Sequence, residues 1–171
     1  MNLSLLFTIL IVIGTSFHSC KGCPNSWIAF EGMCYSFNTT KMNWFHAAHA
    51  CREQNGWLVD IQTKTVNDFV KSTINRLHAH DDAEHVGYWT GGNDLDVERQ
   101  FVWGYPGSQS PVTYTDWFQG EPNNNWNNRR EEDCIVLWGR SQYGYQWNDQ
   151  PCENVDYFIC KTGDASTAVV G

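Results

Sequence analysis

Residues 117–152 read WFQGEPNNNWNNRREEDCIVLWGRSQYGYQWNDQPC, and this stretch decides the fold. It sets three oxygen-rich triplets among aromatic and cysteine anchors. These are Glu121-Pro122-Asn123, then Glu131-Glu132-Asp133 directly before Cys134, then Trp147-Asn148-Asp149 directly before Gln150-Pro151-Cys152. Carboxylates and side-chain amide oxygens are hard donors, of which a calcium ion takes about six to eight. Zinc would call for histidine or cysteine. One such triplet alone reads as a polar turn. Three of them in one cysteine-bounded region read as a cation site.

Outward from that stretch, the runs Tyr88-Trp89-Thr90, Phe101-Val102-Trp103, Ile135-Val136-Leu137-Trp138 and Tyr157-Phe158-Ile159-Cys160 read as strands. Between Trp103 and Cys134 lies a long segment rich in Gly, Pro and Asn, and its Trp117, Phe118 and Trp126 mark a packed, functional loop. Upstream, Asn43 is placed to cap a helix from about Trp44 to Gln54, with Phe45, Ala48 and Cys51 on one face and Gly56 beyond its end. Thr63 caps a second helix from about Lys64 to Leu77, whose Val66, Phe69, Val70, Ile74 and Leu77 follow helical spacing. Residues 23–37 suggest a short hairpin. His78, His80 and His85, among Asp81, Asp82 and Glu84, read as a polar surface insertion; most tryptophans, including Trp57, Trp89, Trp117 and Trp138, read as core anchors.

The chain has 171 residues, 42% of them apolar, which suits one domain with a single core. A formal charge of -8 and the absence of any Lys/Arg run argue against nucleic acid and anionic membrane partners. Residues 1–20 carry no Asp, Glu, Lys or Arg, and their apolar core is too short to span a bilayer. They read as a signal peptide cleaved somewhere between residues 16 and 22, which makes the protein secreted and extracellular. Seven cysteines then face an oxidising compartment where disulfides persist. Spacing alone leaves their pairing open, and Cys20, near the cleavage point, is either removed or left able to link two chains. Residues 162–171 read as a disordered tail.

From Cys23 to Lys161 the chain resembles the C-type lectin family. The resemblance rests on Cys23-Pro24, Trp27, Cys51 at a helix end, Trp57-Leu58-Val59, Trp117, Glu121-Pro122-Asn123, Glu132-Asp133-Cys134, Trp147-Asn148-Asp149, Cys152 and Cys160. It implies an α+β fold: two helices packed on small antiparallel sheets, a long calcium-binding loop and three disulfides within a domain over residues 23–161. It further implies the pairs Cys23 with Cys34, Cys51 with Cys160 and Cys134 with Cys152. By the same resemblance Glu121, Asn123, Glu132, Asn148 and Asp149 hold one Ca2+ that also takes two neighbouring sugar hydroxyls, and Pro122 is cis. Asp94, Glu98, Asn124 and Asp133 fall at the family's positions for an auxiliary Ca2+.

The order Glu121 then Asn123 implies a preference for mannose-type sugars over galactose. Trp126, isolated in an Asn-rich run, is the candidate to stack on a sugar face, and it keeps galactose binding open as an alternative. The spacer from Asn123 to Glu132 is longer than usual and carries Arg129 and Arg130, which leaves Glu131 as an alternative ligand to Glu132. Asn38-Thr39-Thr40 is an acceptor sequence for N-glycosylation.

An enzyme would need two carboxylates at a set separation around a glycosidic bond, whereas here each has an amide neighbour suited to coordination. The expectation is therefore a binding protein and not an enzyme, functioning in extracellular glycan or microbial-surface recognition. A domain of this fold that binds protein or mineral without sugar is the other class. Because one sugar site binds weakly, a homo-oligomer is also expected.

Overall fold

Strand β7, Cys134–Trp138, is buried on both faces, and this sets the architecture. Its Ile135 and Leu137 enter one apolar cluster and its Cys134 and Val136 a second, as the two-residue period of a strand requires. The computed structural model describes residues 22–80, 86–105, 107–125, 130–139 and 144–163. The other elements are β1 (Ile28–Phe30), β2 (Met33–Met42), α1 (Trp44–Glu53), β3 (Trp57–Leu58), α2 (Lys64–Leu77) and β4 (Gly87–Asn93). They continue with β5 (Val102–Trp103), β6 (Ser110–Pro111), β8 (Trp147–Gln150) and β9 (Asp156–Gly163).

The strands join in one sheet along the path β1-β2-β9-β4-β5-β6, with β3 added to β9, and β7 paired to both β4 and β8. The expected antiparallel pattern holds except where β4 and β9 run parallel, Tyr88 opposite Tyr157 and Trp89 opposite Phe158. The sheet is therefore mixed. β9 continues to Gly163, two residues past the boundary expected at Lys161, because Thr162 and Gly163 pair with Cys34 and Met33.

α2 covers one face of the sheet with Val66, Val70 and Ile74, packed among Tyr35, Ile61, Tyr88 and Trp147. α1 packs on the other cluster with Trp44, Ala47, Ala48 and Cys51. Each fully buried aliphatic side chain here contributes roughly 1.5–3 kcal/mol. Both predicted caps are present: Asn43 accepts from His46 N at 2.9 Å, and Thr63 from Val66 N at 3.2 Å. The three disulfides join Cys23 to Cys34, Cys51 to Cys160 and Cys134 to Cys152.

Four local expectations are corrected. Phe45 and Leu77, at the margins of their helical stripes, are exposed. At the end of α1 the left-handed position falls on Asn55, with φ of 57°. Gly56 is needed for a different reason: a Cβ there would come 2.6 Å from the Lys161 carbonyl oxygen. His78 is no surface residue. It follows α2, is buried, meets the Tyr88 hydroxyl through Nε2 at 2.8 Å and stacks on Tyr157. Trp57 is 43% exposed instead of serving as a core anchor. Its indole Nε1 donates to Asp60 Oδ1 at 3.1 Å.

Candidate functional site

The long loop reaches β8 before it delivers Glu121. Trp147 N donates to Asp116 O at 2.9 Å, Phe118 N donates to Trp147 O at 2.8 Å, and Glu121 N donates to Phe118 O at 2.9 Å. These bonds bring Glu121 beside Asn148 and Asp149. Behind them Asn67, buried on α2, accepts from Trp147 Nε1 at 3.1 Å and donates to Asp116 Oδ2 at 2.7 Å. Lys71 reaches the same oxygen at 2.7 Å. None of Asn67, Lys71 or Asp116 was marked by motif. The one signal was a polar Asn67 next to Val66 on the apolar face of α2.

The Glu121-Pro122 peptide bond is cis, as the resemblance implied. The next two backbone groups turn onto Asp149, with Asn123 N donating to Oδ1 at 3.1 Å and Asn124 N to Oδ2 at 2.7 Å. A reciprocal pair follows. Asn125 N donates to Glu132 Oε2 at 2.8 Å, and Glu132 N donates to Asn124 Oδ1 at 2.6 Å. The side-chain amide of Asn123 donates to the Glu121 carboxylate. Glu132 thus packs into the loop at 4% exposure, whereas Glu131 is exposed. Arg130 turns away from both and pairs with Glu153 at 2.9 Å. Trp126, Arg129, Cys20 and residues 1–20 lie outside the described residues.

Register completes the cluster. Within the β7–β8 pair Ile135 faces Asp149 and Val136 faces Asn148, while Cys134, opposite Gln150, is itself bonded to Cys152. Both Asn148 and Asp149 are buried. The second group of predicted ligands also gathers. Asn124 Nδ2 donates to Glu98 Oε1 at 2.9 Å, Asp94 N donates to Asp133 O at 3.0 Å, and Asp94 is buried at 4% exposure. Oδ2 of Asp94 accepts from Arg99 N at 2.7 Å, but its Oδ1 has no hydrogen-bond partner.

So many carboxylates in one place are electrostatically strained. Burial, a hydrogen bond with Asp149 and the charges of Asp149 and Glu132 raise Glu121 to about 7. Burial and Asp149 raise Glu132 to about 7. Burial, with the charges of Glu98, Asp133 and Asp149, raises Asp94 to about 7, and burial raises Asp133 as well. Proton or cation uptake relieves this arrangement. Among the described residues no three Asp, Glu, His or Cys side chains stand at metal-ligand spacing. The side-chain amides of Asn123 and Asn148 add neutral oxygen donors beside the carboxylates. The donors present are all hard oxygens, Asp94 Oδ1 is buried without a partner, and burial pushes Glu121, Glu132 and Asp94 up to about 7. This donor chemistry fits calcium and no softer metal.

The family model described as Lectin C-type domain matches residues 40–162. The low affinity immunoglobulin epsilon Fc receptor of Mus musculus is 35% identical over 154 residues, covering 90% of this chain and 40% of the receptor. The C-type lectin mannose-binding isoform of Oxyuranus scutellatus is 33% identical over 172 residues, covering 92% of this chain and 96% of that protein. Among solved structures, the cow C-type carbohydrate-recognition domain of CD23, determined in the presence of GlcNAc2Man3 oligosaccharide, aligns with TM-score 0.68 and 30% identity over 84% of this chain and 98% of that one. A Ca2+-dependent type II antifreeze protein aligns with TM-score 0.63 and 28% identity over 82% and 99%.

Proposed function

The chain belongs to the C-type lectin domain family, and on that premise we propose that it is a secreted, calcium-dependent glycan-binding protein with a preference for mannose-type sugars. The observation that carries this reading is the convergence of Glu121, Glu132 and Asp149 with the amides of Asn123 and Asn148 on one loop and one strand pair. Three disulfides suit an extracellular setting, and no helix among the described residues is long and apolar enough to cross a membrane.

Glu121, Asn123, Glu132, Asn148 and Asp149 would hold the ion, and Asp94, Glu98, Asn124 and Asp133 would hold an auxiliary one. When bound, calcium supplies open coordination positions for two neighbouring sugar hydroxyls and neutralises the carboxylates. The chain's own part is orientation. A carboxylate such as Glu121 accepts from a hydroxyl, and an amide such as Asn123 donates to it, so a polar sugar is satisfied in a shallow site. Acceptor then donor, in that order, suits a pair of equatorial hydroxyls. Galactose makes one of the pair axial, and the unpaired group costs about 1–3 kcal/mol. Recognition of glycans on extracellular or microbial surfaces follows, strengthened by oligomerisation because a single site is weak.

The role is binding, not turnover. Glu121 and Asp149 are within hydrogen-bonding reach of one another, closer than the roughly 5 Å or more that separates the two carboxyl groups of a glycosidase.

The test is a glycan array read with calcium and with chelator, followed by competition elution. Chelator-sensitive binding released by mannose at lower concentration than galactose is expected. Release by galactose first would select the galactose alternative. The likeness to a Ca2+-dependent antifreeze protein favours one further reading, a domain of this fold that binds a non-sugar surface. An array on which no glycan binds in calcium would select it.

A further inference from the structure

The displaced Trp57 opens onto a part of the molecule that shares no residue with the carboxylate cluster. Trp57 and Tyr105, each about two-fifths exposed (43% and 41%), flank a cavity of about 450 Å³ whose wall includes Trp103. A smaller cavity shares Arg52, Trp57, Gly104 and Tyr105 with it and extends the groove toward Trp44. The walls come from α1, β3, the β5–β6 hairpin and β9. Gly104, with φ of 104°, makes the hairpin turn, and a Cβ there would come 2.4 Å from the Ser108 carbonyl oxygen.

The polar groups are arranged for a ligand with an anionic edge and hydroxyls. The Arg52 guanidinium lies over the Tyr105 ring, 4.5 Å from its centroid, and no carboxylate pairs with it among the described residues. Its face is used in stacking while its N–H edge stays available, the geometry in which arginine takes a carboxylate or sulfate with two parallel bonds. Asp60 accepts from both Trp57 Nε1 at 3.1 Å and Lys161 Nζ at 2.9 Å through the same oxygen, Oδ1. Its Oδ2 accepts no hydrogen bond among the described residues. The Trp57 indole, 43% exposed, suits the apolar C–H side of a pyranose ring, as it suits any amphipathic ring, whereas the Tyr105 ring is taken up by Arg52 and stacks on Trp44 at 6.0 Å. The volume exceeds one hexose and falls within the usual range of small-ligand sites.

We propose that this groove is a calcium-independent saccharide subsite that binds an acidic oligosaccharide, its ring against Trp57 and its anionic group on Arg52, which Tyr105 holds in place by stacking. An acidic peptide is the competing occupant, and the backbone argues against it. The neighbouring open end of the sheet is the two-residue strand β6, and its Pro111 has no N–H to offer an added strand. The subsite lies apart from the proposed calcium site and operates in chelator, so either can fail without the other.

The test uses the full chain in chelator, titrated by calorimetry with three probes: a chondroitin sulfate oligosaccharide, a hyaluronan oligosaccharide carrying uronate alone, and neutral chitotetraose. Binding of at least one acidic probe is expected, with the neutral probe about tenfold weaker or worse. The two acidic probes distinguish sulfate from uronate as the anchoring group. Arg52→Gln, at an exposed helix position, is expected to weaken the acidic probe by about tenfold while leaving the melting temperature and chelator-sensitive mannose binding unchanged. Trp57→Leu is expected to weaken all probes. The proposal is overturned if no acidic probe binds in chelator, if the neutral probe binds equally well, or if Arg52→Gln binds as the parent does. A glutamate-rich peptide of matched charge that competes at equal concentration would overturn it in favour of a peptide partner.

Discussion

Asp149 fastens the loop at points 26 and 25 residues before it: its two carboxylate oxygens take the backbone N–H groups of Asn123 and Asn124, at 3.1 and 2.7 Å. The side chain proposed to hold calcium therefore also shapes the loop through its own hydrogen bonds. Charge-assisted hydrogen bonds of this kind are roughly twice as strong as neutral ones. Asp149→Ala should leave both donors without acceptors and loosen residues 121–125. Hydrogen exchange measured in chelator should show the Asn123 and Asn124 amides losing protection by about tenfold, roughly 1.4 kcal/mol. Unchanged protection would mean that the cis turn and the bonds to Glu132 hold the loop unaided.

The pH dependence without calcium should run opposite to ordinary acid denaturation. Glu121, Glu132 and Asp94 are raised to about 7, against unfolded carboxylates near about 4. Between those values the folded protein binds more protons than the unfolded chain, so stability falls as pH rises. In chelator the melting temperature should drop from pH 5 to pH 7.5, and calcium at pH 7.5 should restore it by binding the ionised form. Melting temperatures that rise across this window in chelator would contradict the strain inferred for the cluster.

A structural prediction concerns the support behind the site. Asn67 satisfies the Trp147 indole and the Asp116 carboxylate together, and Lys71 neutralises the latter. Asn67→Leu should leave a buried indole N–H unpaired and remove one of the carboxylate's donors. The expected loss is about 1–3 kcal/mol in urea unfolding. Because Trp147 directly precedes Asn148, calcium affinity should weaken as well. A variant that unfolds with the parent's midpoint would show that the network adds nothing.

The two helices were legible because each carries a local signature, a cap and an apolar period, whereas the disulfide pairing, which spacing left open, was legible only through the family resemblance. What the sequence concealed depends on packing between distant segments. Trp57 shows no local reason to be exposed, but β3 is two residues long and holds Trp57 opposite Lys161 on one side of β9. His78 sits among polar neighbours in sequence, yet α2 ends where Tyr88 and Tyr157 from two other strands enclose it. The parallel β4–β9 pair joins segments about 70 residues apart, a pairing that no periodicity reveals. The auxiliary ligands were legible as residue types. That burial leaves Asp94 Oδ1 without a hydrogen-bond partner was not.

The last prediction separates the two adjacent glutamates that motif reading left as alternatives. Glu132 is 4% exposed, accepts from Asn125 N and donates its own N–H to Asn124 Oδ1, so its carboxylate is fixed relative to Asp149, whose charge helps raise its pKa. Glu131 is exposed, and its neighbour Arg130 is committed to Glu153. A ligand must be held near its productive geometry before the ion arrives, which only Glu132 satisfies. Glu131→Gln should change stability by less than about 0.5 kcal/mol and leave chelator-sensitive glycan binding within about twofold of the parent. Glu132→Gln removes a charge while preserving shape, and it should abolish that binding and the calcium-induced rise in melting temperature together. In chelator the same change should not destabilise the fold near neutral pH, because it deletes a carboxylate that burial and Asp149 disfavour in its ionised form. If Glu131→Gln abolished the calcium response and Glu132→Gln kept it, the assignment would be reversed.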